Sequence, residues 1–204
     1  MAEERTAAPP PGERALVTAA EGSGPLFQRD YWAVIRNARL KPSEIVSLAA
    51  SRFAEFAPES LCRFQRADGA ETVLDLGDEL EIDITGAGQC AVRVTQRDLQ
   101  SFTLSTLEGH PEAGRITFGA YRNGRGDVIF HIRSRARSGS QVKYLGFLLA
   151  GEPMQTQTWT DFVNAVANTV GEGVVGSVQA DKQRVEDVPG SDRPEQPTYA
   201  AEGD

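Results

Sequence analysis

"QSFTLSTLEGHPEAGRITFGAYRNGRGDVIFHIRSRA", Gln100 to Ala136, is the stretch on which the fold turns. Apolar and polar residues alternate through Gln100–Leu107, Arg115–Tyr121 and Asp127–Ala136, the period of a half-buried strand. The breaks between them, "GHPEAG" at 109–114 and "NGRGD" at 123–127, hold the residues that reverse a chain. Upstream, Thr72–Leu76, Glu79–Thr85 and Gln89–Thr95 read the same way, with "TGAGQ" at 85–89 as a further turn. Strands joined this tightly pair antiparallel, so residues 72–136 predict a meander.

Two segments switch to a helical period. In "KPSEIVSLAASRFAEFAP", Ile45, Leu48, Ala49, Phe53 and Phe56 fall on one stripe; Ser43 suits the N-cap and Pro58 ends the run. In "EPMQTQTWTDFVNAVANTVG", Met154, Thr158, Phe162, Val166 and Val170 recur every four residues, flanked by Trp159 and Val163. Pro153 fits the start of this helix and Gly171 the residue past its end. Thr158 with Asp161 offers an alternative capping box for a shorter helix from Trp159, but the longer one keeps Met154 and Thr158 on the stripe.

An earlier strand, "LFQRDYWAVIR", places Tyr31, Ala33 and Ile35 opposite Trp32 and Val34, and an apolar run, "QVKYLGFLLAG", leads into the last helix. An antiparallel sheet cannot leave its apolar face in water, and that helix is the obvious cover. The expected fold is therefore α+β helix-grip: a curved antiparallel sheet packed around a long C-terminal helix.

Both ends lose periodicity. Residues 1–24, rich in Ala, Pro, Gly and Glu, read as a disordered leader, residues 25–176 as one domain, and residues 177–204 as a disordered acidic tail. The chain has 204 residues and a net charge of -8, about half of it in that tail. Acidity disfavours unspecific binding to nucleic acid or an anionic membrane. No basic start with an apolar core marks a secretory signal, and no run approaches the roughly 18 apolar residues of a membrane span. Cys62 and Cys90 stand alone without ligand spacing, which suits a reducing cytoplasm, with Cys62 a small buried hydrophobe.

The run "LGDELEIDITGAGQCAVRVTQRDLQSFTLSTLEGHPEAGRITF" carries a pattern of its own. Gly77, Asp78, Phe102, Thr106, Leu107, Gly109, His110, Pro111, Glu112, Gly114, Phe118, Ile132 and Ser134 fall where a "G-D … F … TLxGHPExGxxxF … I…S" motif has them. The run resembles the domain of unknown function 1990 family, also labelled UPF0548, of the START-like or polyketide-cyclase-like group. That resemblance implies the same helix-grip fold and the group's habit of binding apolar small molecules between sheet and helix. It supplies no established activity.

Candidate chemistry is sparse. His110, in the turn, has Glu112 nearby; the turn itself accounts for both, with a ligand contact the alternative. His131 shares a strand face with Arg133, Arg135 and Arg137, either a solvated face or a cationic patch for a carboxylate or an acidic partner. A cavity would set Trp159 and Phe162 against Phe102, Phe118 or Phe130, with His131 in reach, and those residues are the expected ligand-binding set. No phosphate loop, nucleophile elbow, dinucleotide fingerprint or metal motif occurs, so neither cofactor nor metal is expected. Three readings compete: a binder of an apolar small molecule, a cofactor-independent cyclase or lyase with His131 or His110 as base, and a protein-interaction module. The oligomeric state is not fixed by the sequence.

Overall fold

A computed structural model of the chain describes residues 14–70, 72–86, 88–139 and 152–186. Its elements are β1 (Ser23–Val34), α1 (Pro42–Ser51), α2 (Phe53–Phe56), β2 (Cys62–Arg66), β3 (Glu79–Ile84), β4 (Gly88–Arg97), β5 (Ser101–Thr106), β6 (Glu112–Arg122), β7 (Val128–Ser138), α3 (Glu152–Val170) and β8 (Gln179–Val185). One eight-stranded sheet runs β2-β3-β4-β5-β6-β7-β1-β8, antiparallel throughout. The meander is thus present, and β1 closes onto its last strand.

The inner face is set by strand parity. Phe102, Phe118, Phe130 and Ile132 point to the helices and are fully buried. Phe162 of α3 meets the rings of Phe53, Phe56, Phe118, Phe130 and Trp159 at centroid distances of 5.1–6.2 Å. Phe102 stacks on Phe118 at 4.9 Å. This cluster joins sheet, α2 and α3 in one core.

Several expectations shift. Thr72–Leu76 is not a strand; only Leu74 of its apolar residues is buried, and its N–H donates to the Ala50 carbonyl. Cys62–Arg66 pairs with β3 instead, with just Cys62 and Phe64 as its apolar inward pair. Helix α1 takes Pro42 at its first position, so Lys41 and not Ser43 is the cap, and its N–H donates to Glu44 Oε2 at 2.7 Å. The long reading of α3 holds: the helix runs through Met154 and Thr158, and Thr158 Oγ1 donates to the Met154 carbonyl one turn back. The apolar run 141–151, with Tyr144 and Phe147, lies outside the described residues.

Order also extends into both ends. Leu16 bridges Leu107, the Val17 N–H donates to the Thr106 carbonyl, and a 3-10 turn follows at Ala19–Glu21. At the other end Gln179–Val185 pairs with β1 along its length. The polar composition that reads as disorder is that of an exposed edge strand, whose side chains need bury nothing. Residues 1–13 and 187–204 lie outside the described residues.

Candidate functional site

The family-like turn turns out to be both a stitch and a wall. Thr106, at the end of β5, accepts the Gly114 N–H through Oγ1 (2.9 Å) and donates to the Val17 carbonyl (2.8 Å). Gly114 has φ +155, and a Cβ there would run into the Arg135 carbonyl oxygen and the Ala136 backbone, so no side chain fits. The His110 ring is pinned by Nδ1, 3.0 Å from both the backbone N and O of Glu112. The ring and the Glu112 side chain then border a hollow.

That hollow is a cavity of about 550 Å³ between the inner face of β3–β7 and the first turns of α3. Its walls are aliphatic: Ile82, Ile84, Val92, Leu104, Ile116 and Ala136 from the strands. Met154, Thr158 and Trp159 cover it from α3, with Cys62 and Phe64 at the side. A volume in this range suits a drug-sized ligand. A second hollow, about 660 Å³ against Pro42, Ser43 and Leu99, is a surface notch open to solvent, remote from these groups.

One end of the cavity is polar. Glu112 pairs with Arg29 (Nη1 to Oε1, 3.4 Å) and accepts from Gln155 Nε2 at its other oxygen (3.0 Å). Arg29 shares parity with Tyr31 and Ala33 and sits opposite Ser134 in the ladder, so the sheet turns a guanidinium inward, 4% exposed. Ser134 lines the same cavity. Among the described residues its Oγ, Gln155 Oε1 and Trp159 Nε1 have no hydrogen-bond partner, a cost of about 1–3 kcal/mol for each buried group left so.

Of the expected binding set, Trp159 alone lines this cavity. Phe102, Phe118, Phe130 and Phe162 pack ring to ring beside it and fill the space assigned to a ligand. His131 points the other way, since its neighbour Phe130 faces α3 and successive strand residues alternate. It is wholly buried on the far face, where Nε2 donates to Asp30 Oδ1 (2.6 Å) and Nδ1 takes the Tyr121 hydroxyl (3.2 Å). Arg133 Nε also donates to Asp30 (2.6 Å), and Gln28 Nε2 to its other oxygen (2.7 Å). Burial, the largest influence, favours neutral Asp30, but the hydrogen bonds from His131 and Arg133 outweigh it and hold the carboxyl below its ordinary range. Burial pushes His131 down more than Asp30 pulls it up, so a neutral imidazole donates to a carboxylate.

The arginine row is likewise engaged. Arg135 Nε donates to Gln28 Oε1 (2.8 Å) and Arg137 Nη1 to the Gly24 carbonyl (2.8 Å). These residues tie β7 to β1 and are half-buried. His110 and Glu112, which the sequence offered as a turn or a ligand contact, both border the cavity; what the sequence reading missed, Arg29, Gln155 and Ser134, had one visible signal: polar residues at positions whose parity or stripe is otherwise apolar.

Burial also pushes the Cys62 thiol up to about 11, against a smaller pull from the Thr158 side chain. The thiolate is the reactive form. Iodoacetamide at pH 8 is therefore expected to label Cys62 about a hundredfold more slowly than an unfolded cysteine peptide, and still more slowly with the cavity occupied. Peptide mapping over time reads it, and labelling at the peptide's rate would contradict the burial.

Among the described residues no three His, Cys, Asp or Glu side chains gather as a metal site, and no helix is long and apolar enough to cross a membrane.

Comparison with protein families matches residues 55–165 to the DUF1990 model, "Domain of unknown function (DUF1990)", more than half the chain. The chain belongs to the DUF1990 family. A comparison with curated protein sequences found no match. Among solved structures, the DUF1990 chain is similar to the di-domain ARO/CYC StfQ from the steffimycin biosynthetic pathway, with TM-score 0.51 and 11% identity over 76% of this chain and 52% of that one. It is also similar to the hypothetical protein jhp0584 from Helicobacter pylori, with TM-score 0.50 and 8% identity over 69% and 86%. A conserved protein from Geobacillus kaustophilus gives TM-score 0.48 and 13% identity over 75% and 98%. At these identities the first two likenesses show the fold alone, which this DUF1990 member builds with its own residues.

Proposed function

We propose that this DUF1990 protein is a helix-grip domain that holds an apolar small molecule between its sheet and α3, acting in the cytoplasm as a single domain. The observation that carries the reading is the cavity of about 550 Å³, aliphatic on its walls and polar at one end, next to a core that is already filled. Close packing is the rule inside proteins, and a hollow this size beside interlocked phenylalanines is an exception that a ligand explains. Neither Cys62 nor Cys90 is joined in a disulfide, which fits a reducing compartment.

Native mass spectrometry of freshly purified protein tests it. The expected result is a mass above that of the bare chain, with the added species extracted into organic solvent. In a Trp32→Phe variant, which leaves Trp159 as the sole tryptophan, a fluorescent lipid probe should change the emission on binding. A clean unliganded mass together with no probe binding would overturn the proposal.

One observation favours a second reading. His110 borders the cavity whereas His131 does not, so a cyclase or lyase on this scaffold would use His110 as its base. The arginine edge at Arg133–Arg137 is engaged with β1 in this fold, which leaves the interaction module with less to offer a partner.

A further inference from the structure

Residues 14–18 form a strap held mainly by polar bonds. The Val17 N–H donates to the Thr106 carbonyl (2.9 Å), and the Ala15 carbonyl accepts the Glu108 N–H (2.9 Å). The Arg14 carbonyl accepts from Arg93 Nη2 (2.9 Å), and the Arg14 guanidinium pairs with Glu81 (2.9 Å). Ala15, Leu16 and Thr18 are exposed, so hydrogen bonds rather than burial anchor the strap. Segments of that kind sit at the low end of local stability. The next residues are fixed: Ala19 is buried, and a Cβ on Gly22 would run into Arg137, Ala113 and Ser138.

The strap runs along one flank of the turn that walls the cavity. Thr106, Gly109, His110 and Glu112 border the cavity, and the strap bonds to Thr106 and Glu108 and bridges Leu107. The far flank is tied separately, by Glu112 to Arg29 and Gln155 and by the Gly139 N–H to the Pro111 carbonyl (2.7 Å). One hydroxyl couples strap and turn. Thr106 Oγ1 accepts the Gly114 N–H and has a single proton to give, with two carbonyls in reach, Val17 at 2.8 Å and Gly114 at 3.2 Å. When the strap leaves, that proton passes to the Gly114 carbonyl, so opening strands no donor there.

We infer that residues 14–18 are a latch on the cavity: release about Ala19–Gly22 frees the flank at Leu107–Gly109 and admits small molecules. That the apolar ligand is among them rests on the proposal above; the latch itself does not.

Cys62 borders the cavity and reports its opening without any ligand. Iodoacetamide labelling of Cys62, read by peptide mapping, is compared in the wild-type chain, in Val17→Pro, which deletes one latch N–H, and in Leu16→Cys combined with Leu107→Cys. Leu16 and Leu107 are bridge partners, so an oxidised pair locks the latch and reductant frees it. Val17→Pro is expected to speed labelling about three- to tenfold, the worth of one hydrogen bond. The oxidised lock should slow it by a similar factor, and reductant should restore it. In stopped-flow mixing with N-phenyl-1-naphthylamine, on- and off-rates should rise together in Val17→Pro at unchanged Kd.

Equal Cys62 labelling in every form would overturn the latch. So would labelling in Val17→Pro that climbs with urea as steeply as unfolding of the whole domain. Labelling that follows the latch while the naphthylamine fails to bind would support the latch and count against the apolar-ligand proposal alone.

Discussion

Phe162→Ala is expected to cost about 3–5 kcal/mol of folding stability, read from urea unfolding followed by circular dichroism. The side chain is fully buried and meets five aromatic rings that come from α2, β6, β7 and its own helix. Truncation removes the ring's transfer energy and leaves a hole that stiff neighbours such as Phe118, itself stacked on Phe102, cannot close. Met154→Ala provides the contrast. Met154 lines the cavity and is half-buried, so its loss widens an existing hollow and should cost clearly less. If the two variants proved equally destabilising, the division between filled core and open site would be wrong.

The second large effect lies on the opposite face of the sheet. Asp30→Ala should cost about 3–5 kcal/mol at pH 7, the usual loss when one partner of a buried charged network is removed. It strands the His131 Nε2–H, the Arg133 Nε–H and the Gln28 amide at once. The network has a definite pH signature. Asp30 titrates below its unfolded value, so its contribution is present above about pH 4 and is lost as pH falls further. His131 also titrates below its unfolded value and is buried neutral, so its share begins to fade as pH drops below about 6.5. Unfolding free energy measured from pH 8 to 3 should therefore fall in two stages. The gap between wild type and Asp30→Ala should narrow in the lower one. A gap unchanged down to pH 3 would mean that Asp30 is not the charged centre of the network.

Much of the sheet was legible because the signal is local. Residues 79–136 alternate with short turns, and hydrogen bonding then leaves little choice of partners. Strand β2 escaped because "CRFQR" offers only Cys62 and Phe64 as an apolar pair, and Thr72–Leu76 misled because alternation does not show whether a neighbouring strand is available. Strand β8 escaped because it has no alternating apolar face: its side chains are almost all exposed, and the backbone ladder to β1 carries most of its pairing.

The site was harder to read. Aromatic residues mark where bulk is, and the reading placed the ligand there; Phe102, Phe118, Phe130 and Phe162 instead consume the space they enclose. A cavity is a deficit of volume, and deficits arise among medium and small side chains such as Ile84, Val92 and Ala136, whose spacing in three dimensions no single strand records. Polar residues at inward positions were the recoverable clue. Arg29 falls in phase with Tyr31, and Ser134 in phase with Ile132.

Helix α3 carries a division of labour along its axis. Its first turns, with Met154, Gln155, Thr158 and Trp159, face the cavity, whereas Phe162, Val163, Val166, Ala167 and Val170 are locked in the core. Drift at the first set leaves the phenylalanine cluster intact, so mutation can reshape the cavity without wagering the scaffold. A family that diversified its ligands would carry its variation in residues 154–159 and keep residues 162–170 nearly still.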